Sequence, residues 1–337
     1  MIGGSLGIGA RCALVGLLLC VLAMPVLAGV PDATPDSVQG VVAPQQEVGE
    51  SDESAEAVSP RGLAWLLLLL AQGTWLAVSI GVIVRRRLWR LPPLELDLES
   101  RQATGLLLLT SAMLLWLAYM LGVASAAAIL ELDTQSEPRL RGQAFLLLGA
   151  YTGAAAALGV VLLLVPRLAT HAGLRCRAND FGAGLGWLLL VFPMTWTLGV
   201  VSSYVWTVVT GEPADMLGHK TLRQLVDPEA DAWRWAVIVL VTLGPAVYEE
   251  IVYRGLLQGG LRWLTGSRWG AILATSVLFT VMHVGAAEWR AMLPLFVLSI
   301  VLGVVYERRG RLVASMVLHF AFNLTNIVVA GVLTSAS

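Results

Sequence analysis

The sequence predicts an all-α polytopic membrane protein, a bundle of about eight transmembrane helices after an N-terminal signal segment. Three observations predict it. Of the 337 residues, 57% are hydrophobic and 13% charged, with a mean hydropathy of +0.76; a soluble domain carries about 25% charged residues. Apolar runs of about 18 residues or more follow one another, long enough to cross hydrocarbon as helices. The loops between them alternate in charge, every second one being rich in arginine. A net charge of −1 without a basic patch or nucleic-acid motif excludes a nucleic-acid partner.

Residues 1–28 read as a signal peptide or an uncleaved signal anchor. Arg11 supplies the positive start, Cys12 to Leu22 the apolar stretch, and Val26-Leu27-Ala28 the small-residue cleavage site. Residues 29–62 form an acidic segment with Asp32, Asp36, Glu47, Glu50, Asp52, Glu53 and Glu56, too poor in apolar surface to fold by itself. The spans then fall at about 63–84, 105–130, 142–165, 182–209, 233–261, 269–285, 291–306 and 311–334. Residues 63–209 make an N-terminal group of helices, 210–232 an extracytoplasmic loop, and 233–334 a C-terminal group.

The basic loops carry Arg85, Arg86, Arg87 and Arg90, then Arg167, Arg175 and Arg177, then Arg262 and Arg268, then Arg308, Arg309 and Arg311. Acidic residues from Glu131 to Glu137 and from Glu212 to Asp231 fill the loops between them. The basic loops are therefore expected in the cytoplasm, and the protein as a multi-pass component of a bacterial inner membrane. Tryptophans 233, 235, 263, 269 and 289 stand near span ends, where interfacial anchors belong. The stretch GAYTGAAAALG suits close helix contact. Three cysteines, Cys12, Cys20 and Cys176, build neither a disulfide framework nor a zinc-type spacing.

The unusual polar residues all lie in the last four spans. Glu249, Glu250 and Arg254 interrupt the oily run PAVYEEIVYRGLL, and ionisable groups at membrane depth mark pathways or reaction centres. Glu250 and Arg254, four residues apart, share a helical face and form an ion pair, which leaves Glu249 to face elsewhere. His283 follows Phe279 in LFTVMHVG, and His319 and Asn323 share a face in LHFAFN. Glu249 lies 14 residues before Trp263 and His283 14 residues after Trp269, so both sit roughly 20 Å from one interface. His319 and Asn323 are comparably deep, so the four groups are expected to meet near mid-membrane. Two chemistries suit them. Glu249, His283 and His319 could hold a divalent metal such as zinc with an open water position. Alternatively, Glu249 with His283 activates water while His319 and Asn323 stabilise an oxyanion. There is neither an HExxH motif nor a GxSxG elbow. Two other readings are a transporter or proton-coupled sensor using buried Glu and His as a relay, and an inactive scaffold.

The motifs EEIVYRGLL, FTVMH and HFAFN resemble, in order, the EExxxR, FxxxH and HxxxN motifs of the CAAX-protease and bacteriocin-processing (CPBP, or Abi) intramembrane proteases. The resemblance covers residues 190–331 or so. It implies a type II CAAX prenyl endopeptidase-like hydrolase, usually labelled a metalloprotease, acting on peptide or membrane-protein substrates in the bilayer. By position it implies Glu249 as the catalytic glutamate and His283 as the histidine assisting water activation. His319 and Asn323 match the residues proposed to bind metal or stabilise the oxyanion, and Glu250 and Arg254 the structural pair. A metal-independent glutamate mechanism is also known as a proposal for the family, and both remain open.

Overall fold

The computed structural model describes residues 60–93, 101–131, 139–211, 224–225 and 232–335. The signal reading of residues 1–28 and the acidic segment as far as residue 59 lie outside these. The described chain is almost wholly helical: α1 Pro60–Arg85, α2 Arg101–Ile129, α3 Leu140–Leu164, the short α4 Leu168–His171, α5 Asn179–Thr210, α6 Trp233–Glu249, a π-helical stretch Glu250–Gln258, α7 Gly259–Thr265, α8 Arg268–Val281, α9 Trp289–Arg309 and α10 Val313–Ser335. α6, the π-stretch and α7 run on as a single apolar span, Trp233–Thr265.

Seven of these spans are long and apolar enough to cross a membrane, which makes the protein an integral multi-pass one. The expected eighth span, at about 269–285, is instead the 14-residue helix α8. At ~1.5 Å per residue it reaches about 21 Å, short of a ~30 Å hydrocarbon core. It stops at Val281 because the chain turns: His283 N–H donates to the Thr280 carbonyl, and Gly285 takes a φ of +93° that disfavours any residue with a Cβ.

Two prolines show how the bundle satisfies its own backbone. Pro193 inside α5 has no N–H, so the Leu189 carbonyl four residues earlier loses its helical donor. The Trp75 indole N–H of α1 donates to that carbonyl at 2.9 Å, and this bond pins α1 to α5. Pro245 in α6 likewise frees the Val241 carbonyl, which receives the Asn323 amide of α10 at 3.5 Å. In hydrocarbon an unpaired carbonyl costs several kcal/mol, so such donors fix helix positions.

α2 and α3 cross with their backbones in contact. A Cβ on Gly122 would fall within the van der Waals shell of the Gly149 carbonyl, and one on Gly153 within that of Ala118. α5 packs against α9 and α10, and α6 against α3 and α10. One core joins Trp75, Phe192, Leu298, Leu302, Leu318 and Phe322 across α1, α5, α9 and α10. A second joins Leu108 and Leu115 of α2 to Ile251 and Leu256 of the π-stretch and to Tyr306 and Leu312.

The arginine-rich loops meet at one end. Arg308 donates to the Leu88 and Arg90 carbonyls, Arg268 to the Pro93 carbonyl, and Arg309 and Arg311 both to Asp180. Several of these arginines thus close buried ion pairs as well as marking a side. Asp180 is fully buried and held by two guanidinium groups, Arg309 Nη2 at 2.8 Å and Arg311 Nε at 2.7 Å. Glu307, also buried, is matched by Arg262 at 3.1 Å, by Arg268 and by the Gln258 amide.

Candidate active site

The site begins with the π-helical stretch. Its nine residues carry Glu250, Arg254 and Gln258 at spacings of four, and all three are buried. The sequence pattern predicts an α-helix here; the wider π winding, a form common at functional sites, is a feature of the fold. The polar stripe docks on α9, which carries a matching series, Ser299, Gly303 and Glu307. Arg254 Nη2 donates to Ser299 Oγ at 3.3 Å, Gln258 Nε2 to the Gly303 carbonyl at 3.3 Å, and Arg262 Nη1 to Glu307. Each of these pairs is separated by 45 residues, so the two helices run parallel in fixed register. Gly303 is the close-approach position: a Cβ there would lie 2.8 Å from Gln258 Oε1 and 3.2 Å from Ile272.

Glu250 and Arg254, expected as a pair, are in contact with a Nε–Oε2 separation of 3.6 Å. Glu250 does more than that. Its other oxygen is 3.0 Å from His319 Nδ1, both groups being buried. An ionised carboxylate can only accept, so His319 carries a proton on Nδ1 and turns its Nε2 away from Glu250. That Nε2 lies 3.9 Å from Glu249 Oε2, a buried oxygen with no hydrogen-bond partner among the described residues. The two neighbouring glutamates thus bracket one imidazole, Glu250 from behind and Glu249 in front.

His283 stands in the turn after α8. Its Nδ1 lies 2.7 Å from the Phe279 carbonyl and its ring 4.5 Å from the Phe279 ring. Phe279 is buried between the histidines, 6.1 Å from His319, and the Arg254 guanidinium lies over its face at 4.9 Å. His283 therefore approaches the glutamate–histidine group across an aromatic ring rather than by direct contact. Asn323 shares the His319 face of α10, but its amide is turned to Val241. Of the residues nominated from sequence, Glu249, Glu250, Arg254 and His319 form one connected group, with His283 and Asn323 at its margins.

The sequence reading missed Ser299, Gln258 and Glu307, which hold this stretch in register. Their signal was present: Gln258 extends the four-residue series from Glu250 and Arg254, and Glu307 is a lone acid inside a basic turn.

A metal held by Glu249, His283 and His319 would need all three donors to converge. Among the described residues no group of three or more His, Cys, Asp or Glu side chains is placed to hold a metal ion.

Comparison with known proteins fits this segment. Residues 231–325 match the family model described as type II CAAX prenyl endopeptidase Rce1-like. The match spans all three motifs and is narrower than the 190–331 region of resemblance. No curated protein and no solved structure matches the chain. The segment 231–325, which carries Glu249, Glu250, Arg254, His283, His319 and Asn323, is thus similar to the Rce1-like CAAX-protease family.

Proposed function

We infer that the chain is an intramembrane endopeptidase that hydrolyses peptide bonds of membrane-associated substrates with a water activated by Glu249 and His319. The observation that carries this is the approach of Glu249 Oε2 to His319 Nε2, 3.9 Å apart; with His319 neutral, both accept hydrogen bonds. A water between them sits about 2.8 Å from each, donating one hydrogen to either side. Its lone pair then points outward to a carbonyl carbon. As the C–O bond forms, Glu249 takes the proton, and the same carboxyl returns it to the departing amine as the C–N bond breaks. Glu250 fixes the His319 tautomer and ring plane throughout, so the acceptor needs no reorganisation during the reaction. His283, held through Nδ1 at the Phe279 carbonyl, offers its Nε2 to hydrogen-bond the substrate.

The test is cleavage in proteoliposomes of internally quenched peptides, with and without a farnesylated cysteine, by the purified protein. Glu249→Gln and His319→Ala are expected to lower kcat by about 10³-fold or more while inserting normally. Wild-type turnover in Glu249→Gln would refute the reading. Chelation with 1,10-phenanthroline, followed by zinc addition, measures whether the metal implied by the resemblance is needed. Loss and zinc-dependent recovery would move the water onto an ion held by Glu249 and His319.

A further inference from the structure

The arginines at the basic end divide into two sets. Arg262, Arg268, Arg309 and Arg311 spend their charge on the buried carboxylates of Glu307 and Asp180. Arg85, Arg86, Arg87, Arg90 and Arg308 are exposed, and none of them forms an ion pair among the described residues. Arg308 is nevertheless fixed in place. Its Nη1 donates to the Leu88 carbonyl at 3.3 Å and to the Arg90 carbonyl at 2.6 Å, strapping the turn after α1 to the end of α9. The other edge of this guanidinium, Nε with Nη2, has no partner among the described residues. That edge is the one with which Arg311 grips Asp180, Nε to Oδ2 at 2.7 Å and Nη2 to Oδ1 at 2.8 Å. Such a fork takes two oxygens of a carboxylate or a phosphate.

Arg308 also lines a groove of about 360 Å³, with Leu88 after α1, with Gly186, Trp187 and Leu190 of α5, and with Arg309. One end of the groove is the arginine-rich end of the bundle; one wall follows the apolar span Asn179–Thr210. Leu190 stands 11 residues after Asn179, roughly 16 Å along the helix. Gly186 keeps this wall low, since a Cβ there would meet nothing within 4 Å. A fixed cationic fork beside an apolar trough that runs into a membrane span fits a phosphodiester carrying acyl chains. Basic pockets between membrane helices bind lipid headgroups in this way.

We propose that this groove binds an anionic phospholipid, with phosphate oxygens on Arg308 Nε and Nη2 and an acyl chain laid along Gly186, Trp187 and Leu190. Arg85, Arg86, Arg87 and Arg90, on the turn that Arg308 straps, supply the positive field that selects an anionic headgroup over a zwitterionic one. The two carbonyl bonds hold the guanidinium before the lipid arrives, so little side-chain freedom is lost on binding. The site uses none of the residues around Glu249 and His319, and it stands whether or not the chain cleaves peptides.

The experiment uses the full chain in detergent and reads lipid retention by native mass spectrometry, with phosphatidylglycerol and phosphatidylcholine added in equal amounts. The wild type is expected to retain phosphatidylglycerol about tenfold over phosphatidylcholine. Gly186→Phe fills the trough and leaves every arginine in place; Arg308→Lys keeps the charge and loses the fork. Each is expected to lower phosphatidylglycerol retention by about fivefold to tenfold, with an unchanged Tm in lipid-free detergent. Equal retention of the two lipids by the wild type would overturn the site. So would wild-type retention in Gly186→Phe, by reducing the preference to a general attraction of exposed arginines. Retention lost only in step with a lower Tm would also overturn it, by making the groove a folding element. Glycerol 1-phosphate tests the headgroup alone: if it displaces phosphatidylglycerol at equal concentration, the groove is a phosphate site and the lipid reading falls.

Discussion

Glu250 and Glu249 are adjacent in sequence, yet their surroundings differ sharply. Glu250 has no exposed surface and faces two donors, Arg254 and His319. Glu249 keeps 19% of its side chain exposed and leaves one oxygen unpartnered. A fully buried carboxylate bonded to an imidazole is suited to orienting it, whereas a partly exposed one beside the same imidazole is suited to receiving a proton from water. Glu250→Ala strips the charge partner from a fully buried Arg254 and the orienting group from His319. Breaking a buried pair in this way costs about 3–5 kcal/mol. The expected result is a markedly lower Tm in detergent together with loss of cleavage, whereas Glu249→Gln loses cleavage with little change in Tm. Equal Tm values for the two variants would contradict this division of labour. Sequence spacing paired Glu250 with Arg254, and the two lie 3.6 Å apart, but it could not show that Glu250 also reaches His319, 69 residues away.

Close helix approach is decided at single glycines, and these can be told apart. On α2 and α3 the small residues are numerous, and their mere abundance says only that a tight contact is available. The structure sorts them. Gly122 faces the Gly149 carbonyl, a backbone group that cannot rotate away, whereas Gly159 on α3 faces open space. Gly122→Ala must push the helices apart, with a loss of about 1–3 kcal/mol. Gly159→Ala should be neutral or slightly stabilising, because alanine is the better helix former by about 1 kcal/mol. Thermal unfolding of the two variants side by side checks this; indistinguishable values would mean that the crossing is not tight. The π-stretch is the element that no local pattern foretold. Its buried polar series is set against Ser299, Gly303 and Glu307, so its winding depends on a partner helix 45 residues away.

Across the whole molecule, two buried carboxylates tie the arginine-rich end together. Asp180 joins the start of α5 to the turn between α9 and α10, and Glu307 joins α9 to α7 and α8. α10 carries His319, so the Asp180 clamp holds one half of the site in place from well outside it. Asp180→Ala leaves Arg309 and Arg311 facing each other without their shared anion. The expected outcome is a loss of about 3–5 kcal/mol, read as lower Tm and faster proteolysis of the α9–α10 turn. Cleavage should fall through a lower kcat although no site residue has been touched. Retained stability in that variant would show the clamp to be dispensable.

The sequence by itself determined that the chain is an all-α membrane bundle, where most spans begin and end, and which residues are too polar for their depth. Those are consequences of composition, periodicity and the cost of charge in hydrocarbon, which act locally and are written in neighbouring residues. Charge alternation also placed the basic loops together, and the contacts of Arg308, Arg268 and Arg309 join them at one end. Only the tertiary structure decided that the sixth apolar run stops at 14 residues, that arginines read as loop charges are buried ion-pair partners, and that Asn323 faces the carbonyl freed by Pro245. It alone stacked Tyr119 of α2 on Tyr248 of α6. Each of these depends on which helix lies against which, and an α-helix with apolar residues on all sides carries no local signal of the neighbour it will choose.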